Sequence, residues 1–264
     1  MRFRLVCTAF TSVSILAASP AFAQIGNVIL SPDITLELAG VILADEDVAQ
    51  DDLAGSVLLQ NIGDIPVNAD MTLYHRLDNG NSLFAVDVTV ELPGGLIAQP
   101  RDVVQYNGAA YSLAFDGSVQ GVPAGVRLDA LSADAEGDLL MSFDTTVALP
   151  GVTAGDEDIV QFDGNDFTLL FDGSVAGLEP GVDLDALHFD VASGHLFVSF
   201  DVGGVVGGTN FNDEDLLEHD PVGGNWSLAY DGSAEHADWV AGDLDAAFVT
   251  FLVGFIFKDG FENL

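Results

Sequence analysis

Short runs of β-branched and aromatic residues alternate along the chain with clusters of Gly, Pro, Asn and Asp. Ile159-Val-Gln-Phe162 and Phe167-Thr-Leu-Leu-Phe171 flank Asp163-Gly-Asn-Asp166, a turn sequence, and so predict a hairpin. Asn107-Gly108 fills the matching turn one unit earlier. Ala186-Leu-His-Phe189 and His195-Leu-Phe-Val-Ser-Phe200 predict a second hairpin around Val191-Ala-Ser-Gly194. Beyond the N-terminal segment no stretch sustains a helical apolar period, and Gly or Pro punctuates the chain throughout. The pattern is that of an all-β protein.

The runs repeat in phase. Asp45-Glu-Asp-Val-Ala-Gln50 recurs as Arg101-Asp-Val-Val-Gln105, Asp156-Glu-Asp-Ile-Val-Gln161 and Asp213-Glu-Asp-Leu-Leu-Glu218, with the last Asp at 47, 102, 158 and 215. Downstream follow Phe115-Asp-Gly-Ser118, Phe171-Asp-Gly-Ser174 and Tyr230-Asp-Gly-Ser233, with Asn61 in the degenerate first copy. Leu128-Asp-Ala-Leu131 and Leu184-Asp-Ala-Leu187 form a third element, blurred around Asp70 to Leu73. Leu140-Met-Ser-Phe-Asp144 and Phe197-Val-Ser-Phe-Asp201 form a fourth, echoed by Phe84-Ala-Val-Asp87 and Phe248-Val-Thr-Phe251. Four copies of a four-stranded antiparallel unit of about 56 residues predict a four-bladed β-propeller, with a β-solenoid or an array of sandwiches as the alternative. A closed ring hides the strand edges that stacked sheets otherwise expose. Similar strands near both ends, Ile34-Thr-Leu-Glu-Leu38 and Ala247-Phe-Val-Thr-Phe251, suggest that one blade is shared between the termini.

The N-terminal segment reads differently. Met1-Arg-Phe-Arg4 is basic, Leu5 to Ala18 is apolar, and Ser19-Pro-Ala-Phe-Ala23 ends in a small-x-small cleavage pattern, so residues 1–23 are expected to be a secretory signal. The apolar run falls short of the roughly 20 residues needed to span a bilayer. The expected organisation is a signal over 1–23, a single β-repeat domain over 24–256 and a C-terminal tail over 257–264, the product being exported to the periplasm or beyond. Cys7, the sole cysteine, lies in the signal, so the mature chain has no disulfide, no thiolate nucleophile and no Cys-ligated metal.

Charge narrows the partners. Without Arg2 and Arg4 the chain sets 42 acidic residues against four basic ones, a net charge of −38. Like-charge repulsion excludes nucleic acid and anionic membranes as partners. An apolar content of 49% separates the chain from disordered acidic tails and lets it bury a core. The late apolar run Phe248 to Phe257 is too short for a membrane span and is expected to provide a last strand.

The repeated Asp-Glu-Asp-Val-Val-Gln-type, Phe-Asp-Gly-Ser and Leu-Asp-Ala-Leu elements resemble those of exported, acidic bacterial repeat proteins of undefined function, from about Asp33 to Phe251. The tail Ile256-Phe-Lys-Asp-Gly-Phe-Glu262 is similar to an Ile-Phe-x-Asp-Gly-Phe-Glu ending on many secreted bacterial proteins. The resemblance implies a Gram-negative source and carries no catalytic residues. The second unit departs from the pattern at Gln99-Pro-Arg101.

Clustered carboxylates suit hard cations, and exported proteins meet calcium. The candidate calcium ligands are Asp45, Glu46 and Asp47, Asp156, Glu157 and Asp158, Asp213, Glu214 and Asp215, together with Asp116, Asp172 and Asp231 should the loops meet. None has EF-hand or β-roll spacing. The competing assignment is structural: the last Asp of each triplet bonds local backbone amides and the Asp-Gly-Ser Asp makes a turn. Asp129 and Asp185 are expected to bond a loop of the adjacent blade, with lining of a central channel as the alternative. His75, His188, His195, His219 and His236 form no zinc motif, and Gly-x-Ser-x-Gly is absent. Gly203 to Gly208 precedes no helix and is not a phosphate loop. Recurring aromatics at Tyr111, Phe167 and Trp226, and at Phe115, Phe171 and Tyr230, predict packing between blades. Two functions follow: a non-enzymatic exported repeat protein whose acidic loops make calcium-dependent contact with a protein or glycan, or a hydrolase acting on a sugar or phosphoester at the channel mouth. A third reading takes the acidity as adaptation to high salt.

Overall fold

The computed structural model describes residues 24–252, so the signal over 1–23, the tail over 257–264 and Cys7 lie outside the described residues. Four four-stranded antiparallel sheets form the blades of a propeller. The second blade runs outward from Met71–Arg76 through Ser82–Val86 and Val103–Tyr106 to Tyr111–Phe115. The third comprises Leu128–Ala133, Leu139–Phe143, Ile159–Phe162 and Phe167–Phe171. The fourth comprises Leu184–Asp190, His195–Phe200, Leu216–Asp220 and Asn225–Tyr230. The first is built from both ends of the chain: C-terminal Leu244–Phe251 is its inner strand, followed by Ile25–Pro32, Ala49–Asp51 and Val57–Leu59. Neighbouring inner strands touch all the way round, which closes the ring.

Burial follows from this geometry. Strands near the axis are flanked on both faces by other blades, so the inner strand Leu128–Ala133 and the second strand Ser82–Val86 are buried at every residue, whereas Phe167–Phe171 at the rim exposes its middle. Between blades the recurring aromatics pack as the sequence predicts. Phe115 of the second blade meets Phe162 of the third edge-on at 5.2 Å, and Phe171 of the third meets His219 of the fourth at 5.4 Å. The junction of fourth and first blades is instead polar: Tyr230 Oη donates to the buried Asp51 Oδ2 at 3.2 Å, His236 Nε2 lies 3.0 Å from the same oxygen, and Trp239 Nε1 donates to Tyr230 Oη at 3.1 Å.

Two details differ from the sequence expectation. The closing strand is Ile25–Pro32, pairing Val28 with Val249 and Leu30 with Ala247, while Leu36–Leu38 belongs to a separate hairpin with Val41–Leu43. Hence Ile29-Leu-Ser-Pro-Asp33 is the true first copy of Leu-Met-Ser-Phe-Asp, and Leu244-Asp-Ala-Ala247 is a copy of Leu-Asp-Ala-Leu that sequence comparison passes over. Pro32 at the end of the strand blurs the first match. Each blade also carries an additional two-stranded hairpin between its second and third strands. Gly203 to Gly208 contributes to the fourth of these, with Gly207 and Gly208 at φ 58° and 89° in the turn. Among the described residues no helix is long and apolar enough to cross a membrane.

The seam between the two termini should carry the ring's stability. Leu30→Ala, at a fully buried position there, is expected to lower unfolding free energy by about 2 to 5 kcal/mol, against about 0.5 kcal/mol or less for the exposed Val175→Ala. Urea titration followed by circular dichroism reads both; equal small effects would mean that the first blade is not closed by the C-terminal strand.

Candidate functional site

Every inner strand begins with a β-bulge. Pairing with the second strand skips Thr72, Asp129, Asp185 and, in the first blade, Asp245. A bulged residue is unpaired and its side chain is re-aimed, and here all four line one cavity of about 370 Å³ at the channel mouth. Two positions earlier stand Asp70, Arg127, Asp183 and Asp243, and the ends of the second strands add Asp33 and Asp201 to the lining. Eight aspartates and one arginine thus converge on one opening. Asp129 and Asp185 line the channel, which replaces the expected bond to a neighbouring loop with the alternative set beside it.

The outermost acids have a structural duty. Asp33, Asp87, Asp144 and Asp201 accept the backbone N–H of Asp243, Asp70, Arg127 and Asp183 at 2.6 to 2.8 Å, and each of those residues returns a carbonyl to its partner's N–H. This reciprocal clamp ties the ends of the first two strands together in all four blades. The inner acids are not so provided. Asp129 is 3% exposed and takes Arg127 Nε at 2.7 Å on Oδ1, while its Oδ2 has no donor. Asp185 Oδ2 is likewise buried without a donor. Asp129, Asp183 and Asp185 each offer an oxygen within 4.8 Å of the others, so this triad could hold a metal ion. Thr72 breaks the series by donating to Leu128 O at 2.8 Å.

Loss of water and mutual repulsion raise the carboxyl pKa values. Burial pushes Asp129 up to about 6, with Arg127 opposing. Asp183 rises to about 8 through burial and then the charges of Asp129, Asp156 and Asp201. Burial, then Asp243 and Asp129, raises Asp185 well above the usual range. Across the mouth Asp70 reaches about 7 through burial and then Asp45 and Asp87, and Asp243 about 7 through burial and then Asp213 and Asp33. Asp245 reaches about 9 through burial and then Asp70 and Asp243.

The twelve acids singled out in the sequence take other places. The last Asp of each triplet bridges backbone: Asp158 accepts Gly155 N on Oδ2 and Gly173 N on Oδ1, Asp215 does the same for Asn212 and Gly232, and Asp47 accepts Ala44 N. Asp102, in the unit lacking the leading pair, bridges Gln99 and Gly117 alike. Asp116, Asp172 and Asp231 cap one-turn helices by accepting Val119, Val175 and Ala234 N. The Gly that follows is required by close approach: a Cβ on Gly117 would collide with Arg101 O. Glu46, Glu157 and Glu214 are raised, burial first. The structure therefore brings Asp102 to Asp116 and Asp215 to Asp231, and sets Asp45, Asp156 and Asp213 close enough to Asp70, Asp183 and Asp243 to act on their charge. The triad is a separate set. Its signal in the sequence was the acid immediately ahead of Leu-Asp-Ala, as in Asp183-Leu-Asp185 and Asp243-Leu-Asp245. Among the imidazoles, His188 lies on an inner strand, whereas His195 and His219 lie on the second and third strands of the fourth blade.

A closed ring of four four-stranded antiparallel blades around an axial cavity defines a four-bladed β-propeller. No protein-family model matches the chain, and no curated protein matches it in sequence. Among solved structures it is similar to YCF48 bound to D1 peptide, at 11% identity and TM-score 0.35, covering 79% of this chain and 51% of that one. A streptogramin B lyase aligns at 7% identity and TM-score 0.33, over 79% and 55% of the two chains. A protein of unknown function from Bacteroides caccae aligns at 8% identity and TM-score 0.35, over 77% and 72%. The chain spans about half the length of the first two.

Raised carboxyl pKa values make a pH prediction. A group protonated in the folded state but ionised when unfolded contributes stability below its unfolded pKa of about 4 and loses it as pH rises through its folded value. The mouth acids, at about 6 to 9, should therefore make the EDTA-treated protein melt progressively higher as pH falls from about 9 to about 6.5. Below that, His75 and His188, lowered by burial to about 4 and about 3, act in the opposite sense and should flatten the curve. Asp245→Asn should reduce the slope between pH 9 and 6.5; an unchanged slope would remove the mouth as its source.

Proposed function

We propose that the protein is an exported binding propeller that holds a divalent cation in the carboxylate mouth of its channel and uses it to contact a protein or glycan partner outside the cell. The single observation that carries this reading is the buried Asp129 Oδ2 and Asp185 Oδ2, both without donors, in one triad with Asp183. A buried carboxylate oxygen lacking a donor is costly, and a cation relieves desolvation and repulsion together. An all-oxygen donor set with no imidazole or thiolate favours calcium or magnesium over zinc. Irregular spacing on a bulged backbone favours calcium, whose coordination is the more flexible of the two. The first acids of the triplets, Asp45, Asp156 and Asp213, add to the negative field that draws a cation in. Coordination positions on the open side would fall to oxygens of the partner.

The test is a thermal melt of the chain without its first 23 residues, at fixed ionic strength, first in EDTA and then with calcium. Stabilisation should grow with the logarithm of calcium, reaching about 5 to 10 °C at a hundredfold excess over Kd. Asp185→Asn should abolish the shift and Asp158→Asn should leave it; the reverse would move the ion to the Asp-Glu-Asp runs. An equal response to sodium chloride would mark adaptation to salt instead.

A second reading is favoured by Asp245, whose carboxyl burial pushes up to about 9 in the same mouth as the triad. A carboxyl that stays protonated at neutral pH can act as a general acid, so a hydrolase of glycosides or phosphoesters fits the same mouth. It predicts calcium-dependent turnover of p-nitrophenyl glycosides or phosphates that Asp245→Asn eliminates. Calcium binding without turnover leaves the binding reading alone.

A further inference from the structure

The channel has a second mouth of different chemistry. Four residues beyond the bulge-flanking Met71, Leu128, Leu184 and Leu244, the inner strands carry His75, Ser132, His188 and Phe248. Both imidazoles meet Phe248 edge-on, His188 at 4.7 Å and His75 at 5.2 Å. They form the inner end of a cavity of about 680 Å³ that Phe251 also lines, within the size range of ligand pockets. The cavity's rim is formed by the hairpin turns of three blades, which place Asp78, Asp134, Glu136 and Asp190 around it against one cation, Arg76. His188 is 6% exposed, and its Nδ1 has no hydrogen-bond partner.

We propose that this mouth is a binding site for an organic ammonium ion with an aromatic or aliphatic body. The rim carries a net negative charge and repels anions. Its carboxylates do not gather as a metal site: Asp134 and Asp190 each accept amides of their own turns, and among the described residues the group able to hold a metal is the triad at the other mouth. The floor is aromatic and apolar, and an ammonium above such rings gains cation–π attraction while carboxylates at the rim balance its charge. Both imidazoles are neutral at pH 7, because burial lowers their pKa values, so His188 adds no repulsion and can accept an N–H at Nδ1. The apolar body would lie against Phe251 and Val249.

Three probes sharing one body separate charge from shape: phenethylamine, 2-phenylethanol and phenylacetate. Isothermal titration calorimetry at pH 7, with and without calcium, should give phenethylamine a Kd of about 1 mM or tighter, 2-phenylethanol about tenfold weaker binding, and phenylacetate none. His188→Phe puts at position 188 the residue that the first blade already carries at 248, and should abolish binding. Asp78→Asn with Glu136→Gln, both exposed, should weaken binding about three- to tenfold without moving the melting temperature, and the loss should shrink at high salt. Asp185→Asn should leave amine binding intact, so the result is independent of the calcium reading. Absence of phenethylamine binding at about 10 mM, equal binding of the alcohol, or loss of binding in Asp185→Asn alone would each overturn the assignment.

Discussion

Four inner strands must share one axis, and everything else in the molecule answers to that crowding. Residues on one face of a strand alternate with those on the other, so Leu73, Ala130, Ala186 and Ala246 share their face with His75, Ser132, His188 and Phe248. One Leu and three Ala, all at most 1% exposed, stand at that level of the inner strands, and the three Ala let the backbones approach closely. The two mouths have different linings. Because the bulge falls at the same point in all four strands, four side chains are turned toward the axis at one end. Any charge at that position meets its copies across a few ångströms of low-dielectric space.

The clamp and the triad show what the fold needs and what it merely tolerates. Asp33, Asp87, Asp144 and Asp201 are each held by a backbone amide, and an acid there is accounted for by the hairpin it ties. Asp129, Asp183, Asp185, Asp243 and Asp245 lie where repulsion and desolvation raise every carboxyl. Strand pairing does not require them, since Thr72 fills the same bulge in the second blade with a neutral hydroxyl. Acids that oppose stability at positions where a neutral side chain serves the fold equally well mark a site built for something other than folding.

The repeat made the architecture legible. Phased Asp-Glu-Asp, Phe-Asp-Gly-Ser and Leu-Asp-Ala-Leu elements, with hairpin turns such as Asp163-Gly-Asn-Asp166, dictate four antiparallel sheets, and the recurring aromatics Phe115 and Phe171 indicate how blades meet. The seam was legible only as an idea, because Pro32 obscured the match at Ile29 to Asp33 and Ala247 replaced the second Leu of Leu-Asp-Ala-Leu. The triplets drew attention because their charges are consecutive. Consecutive residues on a chain entering a strand point different ways, however, so Asp158 turns into the turn while Asp156 acts on the mouth. The triad is assembled from two blades, and its members lie 56 residues apart at Asp129 and Asp185. Only the bulge, which no spacing announces, reveals that these side chains face one another.

Departure from symmetry then decides what the acidic mouth can do. Four identical carboxylates around an axis would be equivalent, and their repulsion would be shared evenly. Instead Thr72 removes one acid and Arg127 replaces another, pairing with Asp129 and fixing its free Oδ2. The remaining acids fall into two halves. Between the first and second blades burial and then the charge of Asp70 raise Asp245; between the third and fourth, Asp129 Oδ2 and Asp185 Oδ2 are buried without a donor in one triad with Asp183. The two sides of the mouth thus meet the same repulsion with different sets of acids, and on the side of the triad three carboxylate oxygens gather within 4.8 Å of one another. The two residues that break the repeat, Thr72 and Arg127, are what make one side of a repetitive ring chemically distinct from the other.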